Sequence, residues 1–157
     1  MSGLLPADAL ALGVGAFFGA LSRYQCGKLA ADWIASDPAR LGKFAGWHTA
    51  GINIGGSFLL GGITSAPVIN AQKVNGMPQK VAPQRSPMFQ GLSPRTKLMM
   101  GVGFCGSYTT FSTYSVDVVT WLSEGQTGKA LKYVATNNVG GLVAAAAGMM
   151  FVKRFLG

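Results

Sequence analysis

The chain has 157 residues, 49% of them hydrophobic and 11% charged, with a net charge of +8. That length suits one domain, and so few charges beside so much apolar side chain exclude an ordinary water-soluble globule, leaving lipid as the expected solvent. The basic excess would fit a nucleic-acid partner, but the lysines and arginines lie mostly between the apolar stretches and no aromatic-basic RNA-binding motif accompanies them, so no nucleic acid is expected.

The apolar residues gather at 7–31, 44–66, 97–122 and 128–156. Each stretch is long enough for a helix to cross a hydrocarbon core about 30 Å thick. The expected fold is all-α and integral to the membrane: a single multi-pass domain over 1–157 with four transmembrane helices, the third of them broken.

The first stretch has no basic start, carries Asp8 early and runs through Arg23-Tyr24 without a cleavage site, so it is expected as a retained helix rather than a signal peptide. Gly15 and Gly19 lie one turn apart and mark a face where another helix can come close. Arg23 is a cation at membrane depth; it either snorkels to the interface or draws anions into a vestibule. Cys26 and Cys105 both fall in apolar stretches and are expected as small buried hydrophobes.

The second stretch opens at Trp47-His48. A lone His without a nearby Cys or carboxylate is a poor metal ligand, so an interfacial position is expected. Trp33, Trp47 and Trp121 all fall near helix ends, as in an aromatic belt. Gly51 and Gly55 form a second small-residue pair. Asn53, between them, must find a partner or a water-filled cavity, and by itself fits either interhelical glue or a site. The connection 67–96 is rich in Pro, Gln and Lys, lacks periodicity, and is expected as an irregular exposed loop.

The third stretch is the odd one. Gly101-Val-Gly-Phe-Cys-Gly-Ser-Tyr-Thr-Thr-Phe-Ser-Thr-Tyr114 puts glycines and a run of hydroxyls in the middle of a span. Glycine loosens the backbone over 101–106, and Ser and Thr offer rival hydrogen bonds to freed backbone groups. Non-helical backbone at that depth survives only where protein buries it or a cavity is lined by it, so a break here predicts a site. Where helix resumes, Phe111 and Tyr114 share a face. Aromatic pairs are usually packing, but ring edges are the positive part of the quadrupole and can face an anion.

Four spans put the N-terminus, the 67–96 loop and the C-terminus on one face. That face carries Lys73, Lys80, Arg85, Arg95, Lys97, Lys153 and Arg154; the other carries Arg23, Lys28, Arg40, Lys43, Lys129 and Lys132. Orientation follows the Lys/Arg imbalance, and this one is nearly nil, so insertion both ways is as well supported as a fixed orientation with cytoplasmic termini.

Three segments, GALSRY at 19–24, GINIGGSF at 51–58 and GFCGSYTTFSTY at 103–114, strongly resemble the Fluc (CrcB-type) fluoride channels, and the resemblance covers all four stretches. It implies a passive fluoride-selective channel of a cell membrane that exports fluoride and so relieves its toxicity, not an enzyme. It further implies a dual-topology homodimer of antiparallel copies, with a pore on each side and one central structural sodium ion. Carried over by position, the backbone carbonyls of Gly106 and Thr109 hold the sodium; the unwound part of the third helix then runs from Gly106 to Thr109. Phe111 and Tyr114 take the places of a pore-lining phenylalanine pair, where Tyr114 adds a hydroxyl. Asn53 matches a pore asparagine and Arg23 a vestibule arginine. Tyr133 and Asn137 fall on a polar track where the family has a tyrosine and a serine; Thr113 and Thr49 join it. Fluoride is small, strongly hydrated and an acceptor only, so a selective path must replace its water with donors and still release it. A rival reading, a four-span proton-coupled exporter of cations, needs a carboxylate within a span, and Asp117 is the candidate. A non-transporting assembly factor explains the small residues but not the break.

Overall fold

A computed structural model describes residues 5–68 and 91–155; the larger part of the expected 67–96 loop lies outside them. The architecture is all-α. Helix α1 is Pro6–Ser36, and α2 is His48–Ser65. Helix α3 covers 94–108 and α4 is Phe111–Ser123; together they make up the third apolar stretch. Helix α5 is Thr127–Phe155.

Helix limits follow local chemistry. Proline supplies the first turn of α1 and of α3, where its missing N–H costs nothing. Ser93 caps α3 through its hydroxyl, which accepts from Thr96 N at 3.0 Å. The third stretch therefore starts at Pro94 rather than at 97. Helix α2 begins at His48 rather than 44 because Gly46 has φ +85, a turn that places it against the Trp121 ring. It ends at Ser65, before the extended Ala66 that precedes Pro67.

Two helix pairs carry the packing: α1 lies along α3, and α2 along α5. Both seams are made of small residues. A Cβ on Gly15 would overlap the Met99 carbonyl, and one on Gly19 the Phe104 carbonyl. Gly103 answers from α3, with its own Cβ position 2.8 Å from the Leu12 carbonyl. In the other pair Gly61 meets the Ala145 backbone and Gly148 the Phe58 backbone. Backbones approach this closely only where side chains are absent, and dispersion between them then holds helices that apolar solvent does not push together. Gly51 and Gly55, by contrast, meet nothing within 4 Å among the described residues.

Three expectations change here. The glycines at 101 and 103 do not unwind the helix: Leu98–Cys105 is π-helical, a wide turn that brings Gly103 onto α1, and Gly106–Tyr108 is again α-helical. The break itself lies at Thr109 and Thr110, both extended, with ψ 159 and ψ 119. β-Branching favours that backbone, and both hydroxyls find local partners there. Finally, Trp121 is not an exposed belt residue. It is buried with Ala50, Ala130 and Tyr133 in a small core, Trp47 packs against them, and the Lys129 ammonium lies 4.1 Å over its ring. Trp33 stays exposed near the end of α1, 5.9 Å from Phe44.

Among the described residues, α5 is the one helix both long and apolar enough to cross a membrane, with a mean hydropathy of 1.3 over its most apolar stretch, only 11% of which is buried. The core of a soluble protein would bury such a stretch; here large apolar side chains such as Leu142, Val143 and Met150 point outward. Helix α1 falls short because it carries Asp8, Arg23, Lys28 and Asp32, and the third stretch because Thr109–Thr110 cuts it in two.

Candidate ion pathway at the helix break

The break is held by side chains standing in for the missing helix bonds. In a continuous helix the Thr110 N–H bonds to the Gly106 carbonyl and the Thr113 N–H to the Thr109 carbonyl. Here Thr110 N donates to Asn53 Oδ1 at 2.8 Å, and Thr113 N donates to Thr110 Oγ1 at 3.2 Å. Both carbonyls are thereby released from the ladder. The Arg23 guanidinium donates to the Thr109 carbonyl at 3.3 Å, which uses one of its two acceptor positions. Arg23 thus lies half-buried against the break. Gly106 is exposed, and a Cβ there would meet nothing within 4 Å.

Asn53 is the brace between α2 and the break. Its Nδ2 donates to the Thr110 carbonyl at 3.1 Å and to Asn137 Oδ1 at 3.0 Å. Both amide hydrogens and the oxygen are therefore engaged with protein. Asn137, only 9% exposed, anchors in turn by donating to the Tyr133 carbonyl one turn back, at 3.0 Å. The order of donors and acceptors is fixed because backbone carbonyls only accept, so each amide must turn its nitrogen toward them.

These groups line a cleft of about 260 Å³. Helix α2 contributes Asn53 and Ser57, and the break contributes Thr109 and Thr110. Phe111 and Tyr114 of α4 line it too, their rings 5.6 Å apart and tilted by 46°. Asn137 and Asn138 of α5 close the lining. Phe111 is 78% exposed, the highest value among the large hydrophobics of the described residues, so packing among them does not account for its position. The cleft offers hydroxyls, amide groups and ring edges and no ionised side chain, a lining suited to an ion that must be desolvated but not trapped.

Of the residues singled out from sequence, Asn53, Phe111, Tyr114, Asn137 and the Thr109 backbone meet in this cleft. Thr113 adjoins it, accepting from Thr110 Oγ1 at 3.0 Å, with its side chain exposed. Thr49 and Tyr133 do not line it. Both are fully buried, Tyr133 between Trp121 at 4.7 Å and Tyr114 at 5.6 Å between ring centroids. The Tyr133 hydroxyl donates to Asp117 Oδ2 at 2.8 Å. Three contributors escaped the sequence reading: Thr110, Ser57 and Asn138. Thr110 had a signal, since it stands three residues before a helical N–H it can cap. Asn138 also had one, a second amide deep in an apolar stretch.

A family model described as "CrcB-like protein, Camphor Resistance (CrcB)" matches residues 10–149. Among curated proteins, the "Fluoride-specific ion channel FluC" of Gloeobacter violaceus is 30% identical over 140 residues, covering 89% of this chain and 91% of that protein. The protein of the same name from Methanocaldococcus jannaschii is 32% identical over 136 residues, 87% of this chain and 86% of its own. That from Chlorobium luteolum is 32% identical over 149 residues, 94% of each chain.

Proposed function

The chain belongs to the CrcB-like protein family, a membrane family, and from that membership and the chemistry of the cleft we propose that it is a fluoride channel, not an enzyme, that lets the ion flow passively out of the cell. The observation that carries the reading is the lining at the break: Asn53, Thr110 and Asn137 present hydrogen-bonding groups in one cleft with an exposed Phe111, and no charged residue among the described lining holds an anion fast.

Four transmembrane spans are assigned to α1, α2, α3 with α4, and α5. The near balance of basic residues favours insertion in both orientations and pairing of antiparallel copies. Exposed Gly51, Gly55 and Gly106 offer backbone to such a partner. Each copy then contributes to two pores.

The Gly106 and Thr109 carbonyls of both copies are assigned to one structural sodium ion. Carbonyl oxygens freed at a helix break suit a hard cation, and the diversion of Thr110 N and Thr113 N to side chains is what frees them. Arg23 leaves one acceptor position on Thr109 for the ion.

Along the path, fluoride takes donors from the protein in place of water. Because both Asn53 hydrogens are engaged, the ion gains one only by displacing the Thr110 carbonyl or Asn137 Oδ1. One hydrogen bond is exchanged for another, which permits both entry and release.

Purified protein in liposomes should release fluoride, with little chloride, in the absence of a proton gradient. Equal chloride release, or strict dependence on such a gradient, would sink the channel reading. The gradient arm bears on Asp117, the candidate carboxylate for a proton-coupled exporter, which here accepts from Tyr133.

A further inference from the structure

Tyr114 lines the cleft with a hydroxyl as well as a ring, and that hydroxyl is held by a residue with no role so far. Asn138 Nδ2 lies 3.1 Å from the Tyr114 oxygen. The same nitrogen donates to the Val134 carbonyl one turn back, at 2.8 Å. A carbonyl accepts only, so this second bond settles which end of the amide faces Tyr114: nitrogen, not oxygen. Both amide hydrogens are then spent, one on Val134 and one on Tyr114. The tyrosine oxygen is an acceptor in this pair, and its single proton remains to be given elsewhere. Accepting a bond also polarises the O–H and strengthens it as a donor.

The ring is fixed as firmly as the oxygen. Tyr114 stacks on the buried Tyr133 at 5.6 Å with an interplanar angle of 29°. With the ring wedged and the oxygen pinned, the remaining freedom of the phenol is rotation of its O–H, and the amide blocks the direction toward α5. An exposed amide on a membrane helix is costly unless it serves a polar cavity, and Asn138 is exposed within the chain and lines this one.

We propose that Asn138 is a positioning residue of the ion path, which sets the polarity of the Tyr114 hydroxyl so that its proton is offered to an acceptor-only anion in the cleft. The inference rests on the channel reading above. It makes Tyr114, where a phenylalanine would give only a ring edge, a direct hydrogen-bond donor, and it makes the pair rather than either residue the functional unit.

A double-mutant comparison in liposomes tests it, reading fluoride and chloride release from the intact protein. Wild type is measured first: if it passes no fluoride, the channel reading fails, and this inference with it. Given wild-type flow, Tyr114→Phe and Asn138→Leu should each slow fluoride about five- to tenfold, the kinetic equivalent of one neutral hydrogen bond. The double variant should be no slower than either single one, because Asn138 has nothing to orient once the hydroxyl is gone. A merely structural Asn138 predicts the opposite, losses that multiply to about twenty-five- to a hundredfold, and that outcome overturns the proposal, as does wild-type flow in Asn138→Leu. If Asn138→Leu does not elute as folded protein, Asn138→Ala carries the same comparison.

Discussion

Replacing Asn53 by Ala removes one side chain and three hydrogen bonds, and the structure allows the cost to be worked out group by group. The Thr110 N–H loses its partner at 2.8 Å, the Thr110 carbonyl loses one donor at 3.1 Å, and Asn137 Oδ1 loses its donor at 3.0 Å. Thr110 is only 8% exposed, so its N–H carries most of the penalty, about 1–3 kcal/mol for an orphaned buried donor. The two acceptors keep other lone pairs and face a cleft that admits water, so each is nearer the ~0.6 kcal/mol typical of a polar contact between membrane helices. The sum is about 2–4 kcal/mol. One escape is open: Thr110 N–H can return to the Gly106 carbonyl and heal the helix, which limits the loss of stability but consumes a freed carbonyl and straightens the cleft. Both routes damage transport. Fluoride release from liposomes should fall at least tenfold, and denaturant unfolding in detergent should show a loss of stability in that range or below it. Asn53→Asp should behave differently, since its carboxylate still accepts from Thr110 N while both donated bonds are lost. Wild-type flow together with wild-type stability in Asn53→Ala would refute the claim that this amide holds the break.

The remaining expectations separate function from packing. Phe111→Ile should slow fluoride release while changing unfolding stability by less than about 0.5 kcal/mol, because an exposed ring contributes little to packing within the chain; a large loss of stability would return Phe111 to a packing role. Gly15→Val should cost about 3 kcal/mol or prevent folding, since its Cβ meets the Met99 carbonyl, and yield of monodisperse protein reads this directly. Gly51→Val meets nothing in the chain, so it should leave helix content intact and weaken only the pairing of copies, measured as a shift from dimer to monomer in detergent; an undisturbed dimer would remove that face from the interface. Exchange of sodium for a large organic cation should lower dimer stability, by about 2.7 kcal/mol if sodium is present at a hundred times its dissociation constant. Equal stability in both salts would count against the Gly106 and Thr109 assignment.

The helices were legible because a membrane helix must be long and apolar, and that signal survives in composition. Their ends were less so: α1 runs to Ser36 and not 31, because the polar residues of its last turns still make good helix and only Asp37-Pro38 stops it. The glycines were the misleading feature. Gly101 and Gly103 look like a place for the backbone to loosen, but at Gly103 the missing side chain is used to admit α1, and Gly101 sits against Leu60 and Ile63 of α2, three-dimensional reasons that spacing does not reveal. Gly51 and Gly55 have helical spacing but meet no other described residue at their Cβ positions, so the chain by itself does not say what that spacing serves. The break fell instead on paired threonines, whose extended preference and capping hydroxyls are readable in retrospect. Asn53 could be singled out from sequence as a polar residue in need of a partner, but not which partner; that its oxygen and nitrogen bracket a single residue, Thr110, required coordinates.

That bracket also explains why the cleft lies where it does. The chain is two closely seamed halves, α1 with α3 and α2 with α5, each joined backbone to backbone through glycine. At those glycines no side chain is left to rearrange, so each half resists internal change there. Between the halves, Asn53 of α2 meets Thr110 at the end of α3, and the polar groups of α5 continue from there. Any shift of one half against the other must stretch the Asn53 bonds to Thr110 before it disturbs a seam. The residue that releases the Gly106 carbonyl is therefore the same one that ties α2 to the break beside the cleft, and substitutions at Asn53 should alter ion flow and the state of the break together.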